Sequence, residues 1–183
     1  MHATAEVAHD AVLGDGTHVW NEAQVLAGAS IGPGCVVGKG AYVDRGVSVG
    51  ARVKIQNYAL LYRGAVVEDE VLLGPACVLT NDMYPRAANP DGTPKSDADW
   101  TPAGVVVRKG ASVGAGAVVL AGVEVGRYAM VAAGAVVSRA VPDHGLAMGV
   151  PARLVGEVCA CGRPLGGDPP LCRSCPSSPG TDR

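Results

Sequence analysis

Four cysteines near the end of the chain have the spacing of metal ligands. Cys159 and Cys161 are separated by one residue and Cys172 and Cys175 by two, with ten residues between the pairs. Four thiolates complete the coordination of a tetrahedral zinc ion and leave no position for a substrate or an activated water. We therefore predict a structural zinc site in the segment 157–175. Reduced free thiols and disulfides are the alternatives that this spacing leaves open.

The other cysteines and the charge of the chain indicate a cytoplasmic protein. Cys35 and Cys77 stand alone in the sequence, which suits a reducing compartment. The net charge of −2 provides no cationic field for a nucleic acid or an anionic membrane. The N-terminal residues lack the basic and apolar stretches of a secretory signal, and no apolar run is long enough to span a bilayer. We expect neither nucleic acid nor membrane as a partner.

An aliphatic residue recurs at every sixth position through most of the chain. Thirteen such positions run from Val7 to Leu79 and six more from Val107 to Val137, each with a small or compact residue two positions earlier. Inward residues at period two mark a short strand, and the frequent glycines allow tight corners. Three strands of this kind close a triangular coil, so the repeat predicts an all-β parallel helix of roughly six coils over residues 3–156. The alternative, a β-sandwich, would space its turns irregularly.

The repeat is interrupted between residues 80 and 106. Four prolines and two glycines break this stretch, which predicts an excursion loop that leaves the coil and returns to it. A loop of this length in a compact domain is usually functional or disordered. The last residues, 176–183, are rich in serine, proline and glycine and are predicted to be disordered.

The repeat, together with four shorter segments, resembles the hexapeptide-repeat acyltransferases. The segments are Gly16-Thr17-His18-Val19-Trp20, Lys54-Ile55-Gln56-Asn57, Gly74-Pro75 and Leu79-Thr80-Asn81-Asp82-Met83-Tyr84-Pro85-Arg86. They are most similar to the enzymes that acetylate the 3-amino group of UDP-2-acetamido-3-amino-2,3-dideoxyglucuronate. The resemblance implies a left-handed parallel β-helix, a homotrimer with active sites between neighbouring subunits, acetyl-CoA as co-substrate and a nucleotide-linked aminosugar as acceptor.

The resemblance also implies roles for residues near the start of the excursion loop. Many of these enzymes have a histidine base where this chain has Asn81 and Asp82. In the branch that acetylates sugar amines, the asparagine orients or polarises the acetyl group, and the leaving thiolate takes the proton. Asn81 could instead only cap the loop, and Asp82 could attract a substrate ammonium or only pair with Arg86. The candidate catalytic residues are Asn81 and Asp82, and the candidate substrate ligands are Gln56, Asn57, Tyr84 and Arg86. For Gln56 and Asn57 a structural ladder is the alternative.

Small residues in the later coils are the candidates for binding coenzyme A. Ala115, Gly116, Ala133 and Gly134 would let a ligand approach exposed backbone amides, although such residues also suit the corners of the repeat. Arg139 and Arg153 come near the end of the helix, where a guanidinium could bind the phosphates of the coenzyme or remain a solvated charge.

Other functions of this fold fit the sequence less well. A carbonic anhydrase needs three zinc-binding histidines, and no histidine occurs between His18 and His144. A purely structural or binding solenoid needs no excursion loop and would expose regular threonine ladders. An acetyltransferase acting on a dTDP-aminosugar or on a hydroxyl group remains the main alternative.

Overall fold

The computed structural model is a three-sided stack of short strands. It describes residues 1–166, 172 and 175, so the predicted disorder of 176–183 lies outside the described residues. The strands, in chain order, are β1 (Glu6–Val7), β2 (Val12–Leu13), β3 (His18–Val19), β4 (Gln24–Val25), β5 (Ser30–Ile31), β6 (Val36–Val37), β7 (Tyr42–Val43), β8 (Ser48–Val49), β9 (Lys54–Ile55), β10 (Leu60–Leu61), β11 (Val66–Val67), β12 (Leu72–Leu73), β13 (Val78–Leu79), β14 (Val106–Val107), β15 (Ser112–Val113), β16 (Val118–Val119), β17 (Glu124–Val125), β18 (Met130–Val131), β19 (Val136–Val137), β20 (Gly145–Gly149) and β21 (Ala152–Glu157). None of the described residues belongs to a helix that could cross a membrane.

Three sheets form the sides of the stack. Sheet A has the order β1-β4-β7-β10-β13-β16-β19, sheet B has β17-β14-β11-β8-β5-β2, and sheet C has β21-β20-β18-β15-β12-β9-β6-β3. Successive neighbours from β1 to β20 pair in parallel; Val25, for example, lies beside Val43. Across the excursion loop, Val67 lies beside Val107, so the extra residues leave the register intact. The predicted parallel β-helix is confirmed.

The stack is longer than the predicted six coils. Sheets A, B and C contain seven, six and eight strands. After Val137 the six-residue period ends, but the winding continues, because Val141 forms a parallel bridge with Val125 and β20 pairs in parallel with β18. The strand β21 then covers β20 in antiparallel orientation. The sequence did not predict this last coil, because its aliphatic residues are not six positions apart.

The core is a column of small aliphatic side chains. The inward residues Val25, Val43, Leu61 and Leu79 of sheet A are fully buried, whereas Val7, on the first strand of that sheet, is only partly buried. No polar or charged side chain of the described residues is buried. A triangle with two-residue sides leaves little interior width, which explains why valine and alanine fill it and phenylalanine is absent.

Aromatic rings cover two of the corners. The ring of Tyr58 lies over Gly40 of the preceding coil, and the ring of Tyr128 lies over Gly110 in the same way. Both glycines have positive φ, and a Cβ at either position would overlap the ring. The positive φ favours glycine at these corners, and the ring above each of them leaves no space for any other side chain.

A group of charged residues ties the coils together on sheet B. Arg108 donates to Glu68 Oε1 at 2.9 Å and to Glu124 Oε2 at 2.7 Å, and the backbone N–H of Lys109 donates to Glu68 Oε2 at 2.8 Å. Burial by itself raises the pKa of Glu68, but the hydrogen bonds from Arg108 and Lys109 and the nearby arginine charges bring it below its usual value. Glu68 is thus stabilised as a carboxylate by the folded protein.

We expect Glu68→Gln to lower the free energy of unfolding by about 1 kcal/mol and the melting temperature by about 2 to 4 °C at pH 7. Because the pKa of Glu68 is lower in the folded than in the unfolded protein, its contribution is complete above the unfolded pKa of about 4.3 and is lost as the pH falls through the folded pKa. The melting temperatures of the wild type and of Glu68→Gln should therefore differ at pH 7 and converge near pH 3. Glu157→Gln, at an exposed position, is the matched control; a difference for Glu68→Gln that persists at low pH would contradict the expectation.

Candidate functional site

One corner of the stack follows the strands of sheet A and is called the loop corner. Its residues are Arg45, Arg63, Asn81, Ala121 and Arg139, one in each successive coil after the strands β7, β10, β13, β16 and β19. Backbone hydrogen bonds connect these turns. For example, Ala103 lies between the turns of Asn81 and Ala121, and its carbonyl accepts from Gly122 N–H at 2.9 Å. Asn81 and Arg139 thus lie two coils, or about 10 Å, apart along the same edge.

Asn81 lies at the base of the excursion loop and is partly exposed. Its Nδ2 donates to the carbonyl of Arg63 at 3.2 Å, and its own carbonyl accepts from Ala103 N–H at 2.8 Å, where the loop returns. At a regular corner, a backbone N–H makes the bond that Nδ2 makes here, as Gly46 does to Ala27. An amide carries two N–H donors, so one donor and Oδ1 remain for a ligand.

The residues that follow Asn81 form a turn of their own. Asp82 Oδ1 accepts a hydrogen bond from Tyr84 N–H at 2.8 Å, while Arg86 Nη1 donates to the neighbouring carbonyl of Pro85 at 2.8 Å. Over the described part of the chain, the ion pairs do not include one between Asp82 and Arg86. Tyr84 is 78% exposed. Tyr84 and Arg86 therefore extend into solvent beside Asn81 and Asp82.

The excursion loop folds back onto the loop corner. Asp97 accepts from Arg63 Nη1 at 3.0 Å and lies 3.5 Å from Arg45 Nη1. The guanidinium of Arg63 also lies over the Trp100 ring, 5.3 Å from its centroid. Sequence reasoning missed these four residues. The interval of 18 residues that separates Arg45, Arg63 and Asn81 is the signal that could have found the two arginines, because one coil takes 18 residues.

A pair of tyrosines lies beside this corner on sheet A. The Tyr42 and Tyr62 rings are 5.7 Å apart, and the Tyr42 hydroxyl donates to Asp44 Oδ1 at 3.2 Å. Burial raises the pKa of Tyr42, and the Asp44 carboxylate raises it further. Asp44 Oδ2 also accepts from Arg63 N–H at 3.0 Å, so the carboxylate holds the corner on which Asn81 stacks.

The predicted residues Gln56 and Asn57 lie at the other edge of sheet A. Asn57 Oδ1 accepts from the Lys39 backbone N–H at 3.0 Å. Asp69 and Asp143 make the same contact at other corners, with Ala51 N–H and Arg127 N–H, each at 2.7 Å. The observed contact of Asn57 is therefore that of a structural ladder. Within one chain, the structure does not bring Gln56 or Asn57 together with Asn81.

Further along the same edge, the corner loses its large side chains, and we call this part the bare corner. It comprises Ala115, Gly116, Ala133 and Gly134, all exposed to solvent. Gly134 N–H donates to the carbonyl of Ala115 at 2.8 Å, so the two turns stack directly. A Cβ at Gly116 or Gly134 would meet nothing within 4 Å. The bare corner therefore offers open backbone to a ligand.

Arg139 and Arg153, which are 14 positions apart in sequence, line one cavity at the C-terminal end of the stack. Its volume is about 220 Å³, and its apolar lining includes Val137, Ala147 and Leu154. Arg139 belongs to the loop corner, and Arg153 is supplied by β21. Arg153 Nη1 donates to the carbonyl of Ala152 at 3.0 Å, which leaves its other N–H groups for a ligand. Two guanidinium groups at one cavity are suited to phosphate oxygens.

The four cysteines of the tail also come together. Their sulfur atoms all lie within 4.8 Å of one another. No disulfide joins them in the described structure. Thiolates in such a group are suitable ligands for zinc.

Comparison with known proteins agrees with this fold. The family described as bacterial transferase hexapeptide (six repeats) matches residues 10–45 and 104–139. A proposed acetyltransferase from Bacillus cereus is 22% identical over 85% of this chain and 79% of its own, with a TM-score of 0.62. A hexapeptide transferase family protein from Anaplasma phagocytophilum is 20% identical over 85% and 80% of the two chains, with a TM-score of 0.61.

A third solved structure was determined with a ligand. The acetyltransferase domain of PglB from Neisseria gonorrhoeae, in complex with acetyl coenzyme A, is 21% identical over 84% of this chain and 56% of its own, with a TM-score of 0.51. At these identities the likeness establishes a shared fold. No curated protein matches the sequence significantly.

Proposed function

We propose that this chain, which carries the repeats of the bacterial transferase hexapeptide family, is an acetyl-CoA-dependent N-acetyltransferase of nucleotide-linked aminosugars, with a UDP-3-amino sugar as the preferred acceptor. One observation carries the proposal: the half-exposed amide of Asn81 lies on the same corner as the cavity of Arg139 and Arg153. A carbonyl-activating group and a phosphate-binding group on one edge suit a long thioester substrate that ends in a nucleotide.

The reaction brings three groups to the thioester: the acceptor nitrogen, a donor to the carbonyl oxygen and a carboxylate that attracts the acceptor. The acceptor nitrogen attacks the carbonyl carbon, the oxygen becomes an oxyanion, and the C–S bond then breaks to release the thiolate of coenzyme A. The thiolate takes the proton that the nitrogen loses, so the products are the amide and coenzyme A. In this scheme the remaining Nδ2–H of Asn81 donates to the oxyanion. The Asp82 carboxylate attracts the acceptor in its ammonium form, which releases one proton to solvent to become the neutral amine that attacks.

The proposed site is divided between the two edges of sheet A. Asn81 lies at the loop corner, with Asp82, Tyr84 and Arg86 in the turn beside it, whereas the bare corner lies at the opposite edge. We propose a homotrimer in which the loop corner of one chain faces the bare corner of its neighbour, so that each site takes residues from two chains. The outward residues Leu60, Val78 and Val118 of sheet A are apolar and only partly exposed, which favours such a face for packing between chains.

The excursion loop supplies the residues proposed to bind the acceptor. Tyr84 and Arg86 extend from the loop, where an aromatic ring can stack on a base or sugar and a guanidinium can bind a diphosphate. Gln56 stays a candidate substrate ligand, and Asn57 would keep its ladder contact while presenting its amide nitrogen. Acetyl-CoA and nucleotide sugars are cytoplasmic metabolites, so the proposal implies a cytoplasmic reaction.

The experiment that tests the function is a thiol-release assay with acetyl-CoA and a panel of acceptors. The panel contains UDP- and dTDP-linked aminosugars and, for each, the matched sugar with a hydroxyl in place of the amine. We expect release only with amines, fastest with a UDP-3-amino sugar, and a product heavier by one acetyl group in mass spectrometry. Turnover with hydroxyl acceptors alone would favour O-acetylation. No turnover and no binding of acetyl-CoA would leave a binding solenoid.

We expect Arg139→Ala and Arg153→Ala each to raise KM for acetyl-CoA about 10- to 100-fold with little change in kcat, because each removes a charged hydrogen bond to phosphate. S-acetylpantetheine, which lacks the nucleotide phosphates, provides the matched control substrate. With it, both variants should equal the wild type. A similar loss with both substrates would show that the arginines act through the fold of the last coil.

A further inference from the structure

The start of the C-terminal tail is fastened to the last coil of the stack. Val158 N–H donates to the carbonyl of His144 at 2.7 Å, and His144 Nδ1 lies 3.0 Å from the carbonyl of Val158. The His144 ring stacks on Tyr128 at a centroid distance of 5.4 Å. Val158 and Cys159 are buried, although they lie outside the core column. The tail therefore reaches Cys159, its first cysteine, at a fixed position.

Cys159 and Cys161 lie on a tight turn that contacts the last coil. Cys159 N–H donates to the carbonyl of Arg163 at 2.9 Å, and Gly162 N–H donates to the carbonyl of Cys159 at 2.7 Å. Gly162 has a φ of 81°, a conformation that glycine adopts without cost. A Cβ on Gly162 would lie 3.3 Å from the terminal methyl group of Met130 on β18, so the turn packs against sheet C.

The sulfur positions suit one tetrahedral ion. Cys159 Sγ lies 3.2 Å from Cys175 Sγ, and Cys161 Sγ lies 3.6 Å from Cys172 Sγ. Four thiolates bound to zinc at about 2.3 Å lie about 3.8 Å from one another. A disulfide would require a separation of about 2.05 Å. The donor set contains only sulfur, which favours zinc over the oxygen-preferring cations.

We propose that Cys159, Cys161, Cys172 and Cys175 bind one zinc ion and that this ion caps the C-terminal end of the β-helix. The cap acts by fastening the chain where the stack ends, because the exposed residues Arg153–Glu157 of β21, the last strand, lead directly into the buried Val158 and Cys159. The zinc joins the end of this strand, through the turn at Gly162, to Met130 on β18. All four positions of the ion are taken by protein, so it has no part in acetyl transfer, and the proposal stands independently of the enzyme's substrate.

The metal content of the full chain, purified under reducing conditions, tests the site. We expect one zinc per chain by elemental analysis, and one cobalt per chain with intense thiolate-to-cobalt absorption after exchange. Cys161→Ser and Cys172→Ser change cysteines that are not buried and should each lose the metal. Cys35→Ala removes a thiol far from the tail and should keep it. Three results would overturn the site: a reduced wild-type protein that contains no metal, one that contains iron or copper instead of zinc, or retention of zinc by both serine variants.

Hydrogen exchange tests the cap. Removing zinc with a chelator should accelerate exchange of the Val158 amide about tenfold or more, because its bond to His144 then opens locally. The amide of Gln24, in the second coil of sheet A, provides the internal reference and should not change. Unchanged protection at Val158 in the metal-free protein would overturn the capping role even if zinc binds. In Cys161→Ser, the Val158 amide should exchange equally fast even when no chelator is added.

Discussion

Replacing Asn81 with alanine is expected to lower kcat about 10²- to 10³-fold while KM for acetyl-CoA changes little. The amide donates to an oxygen that carries full negative charge only after attack, so its loss affects the transition state more than the bound substrate. Steady-state thiol release with the best acceptor of the panel measures both constants. Turnover at the wild-type rate would assign Asn81 to loop structure alone.

The hydrogen bond from Asn81 to Arg63 makes a stability control necessary. Alanine also removes this bond, which is worth about 1 kcal/mol, and could loosen the base of the loop. Asp97→Ala disturbs the loop at its contact with Arg63 and leaves Asn81 in place. We expect the two variants to melt within a few degrees of each other but only Asn81→Ala to lose most of its kcat. Equal losses of kcat would contradict a role for the amide in the reaction.

Mixing two inactive variants is expected to restore activity if each site is shared between chains. One variant is Asn81→Ala, which damages the loop corner, and the other is Ala133→Trp, which fills the bare corner with a large side chain. In a randomly mixed trimer, about one site in four combines an intact loop corner with an intact bare corner from its neighbour. Refolding or co-expressing the two variants should therefore recover about a quarter of the wild-type turnover.

The alternative arrangement gives a different result. If Asn81 and the bare corner of the same chain formed one site, every chain in the mixture would carry one defect, and no activity would return. The matched control mixes Asn81→Ala with Asp82→Asn, two changes on the same side of the site, and in either arrangement its turnover should not exceed the average of the two variants measured separately. Light scattering of each variant checks that trimers form; a monomeric wild type would contradict the proposed assembly.

The fold was largely predictable because its repeat is short and regular. A residue such as Val43 or Leu61 faces inward since it is the second residue of a two-residue strand, and the next coil repeats the arrangement 18 residues later. The last coil escaped prediction for the same reason, because the spacing from Val137 to Val141 and on to β20 departs from six. Pairing with β18, which only the tertiary structure shows, keeps that segment in the stack.

The candidate site was predictable only where it coincided with the repeat or interrupted it. Asn81 was identified as a candidate through the resemblance to enzymes that acetylate sugar amines, at the place where the period stops after Leu79, and the bare corner through the small residues that repeat there. Asp97 and Trp100 could not be found, since an irregular loop has no period that indicates where it lands. Asn57 shows the converse: its residue type and its motif suggested substrate binding, while the contact that it makes in the structure is with Lys39 N–H.

The sequence by itself determined the parallel β-helix, its narrow aliphatic core and the place where the chain leaves it, because each follows from spacing along the chain. Only the tertiary structure decided that Arg63 meets Asp97 and Trp100, that Arg139 and Arg153 line one cavity, and that the tail cysteines gather beside the last coil. These contacts join elements that meet only when the stack has formed: the excursion loop and its corner, the last corner and β21, and the tail and β18. Their energies depend on how a loop or tail packs against a finished surface, and no local pattern of residues encodes that packing.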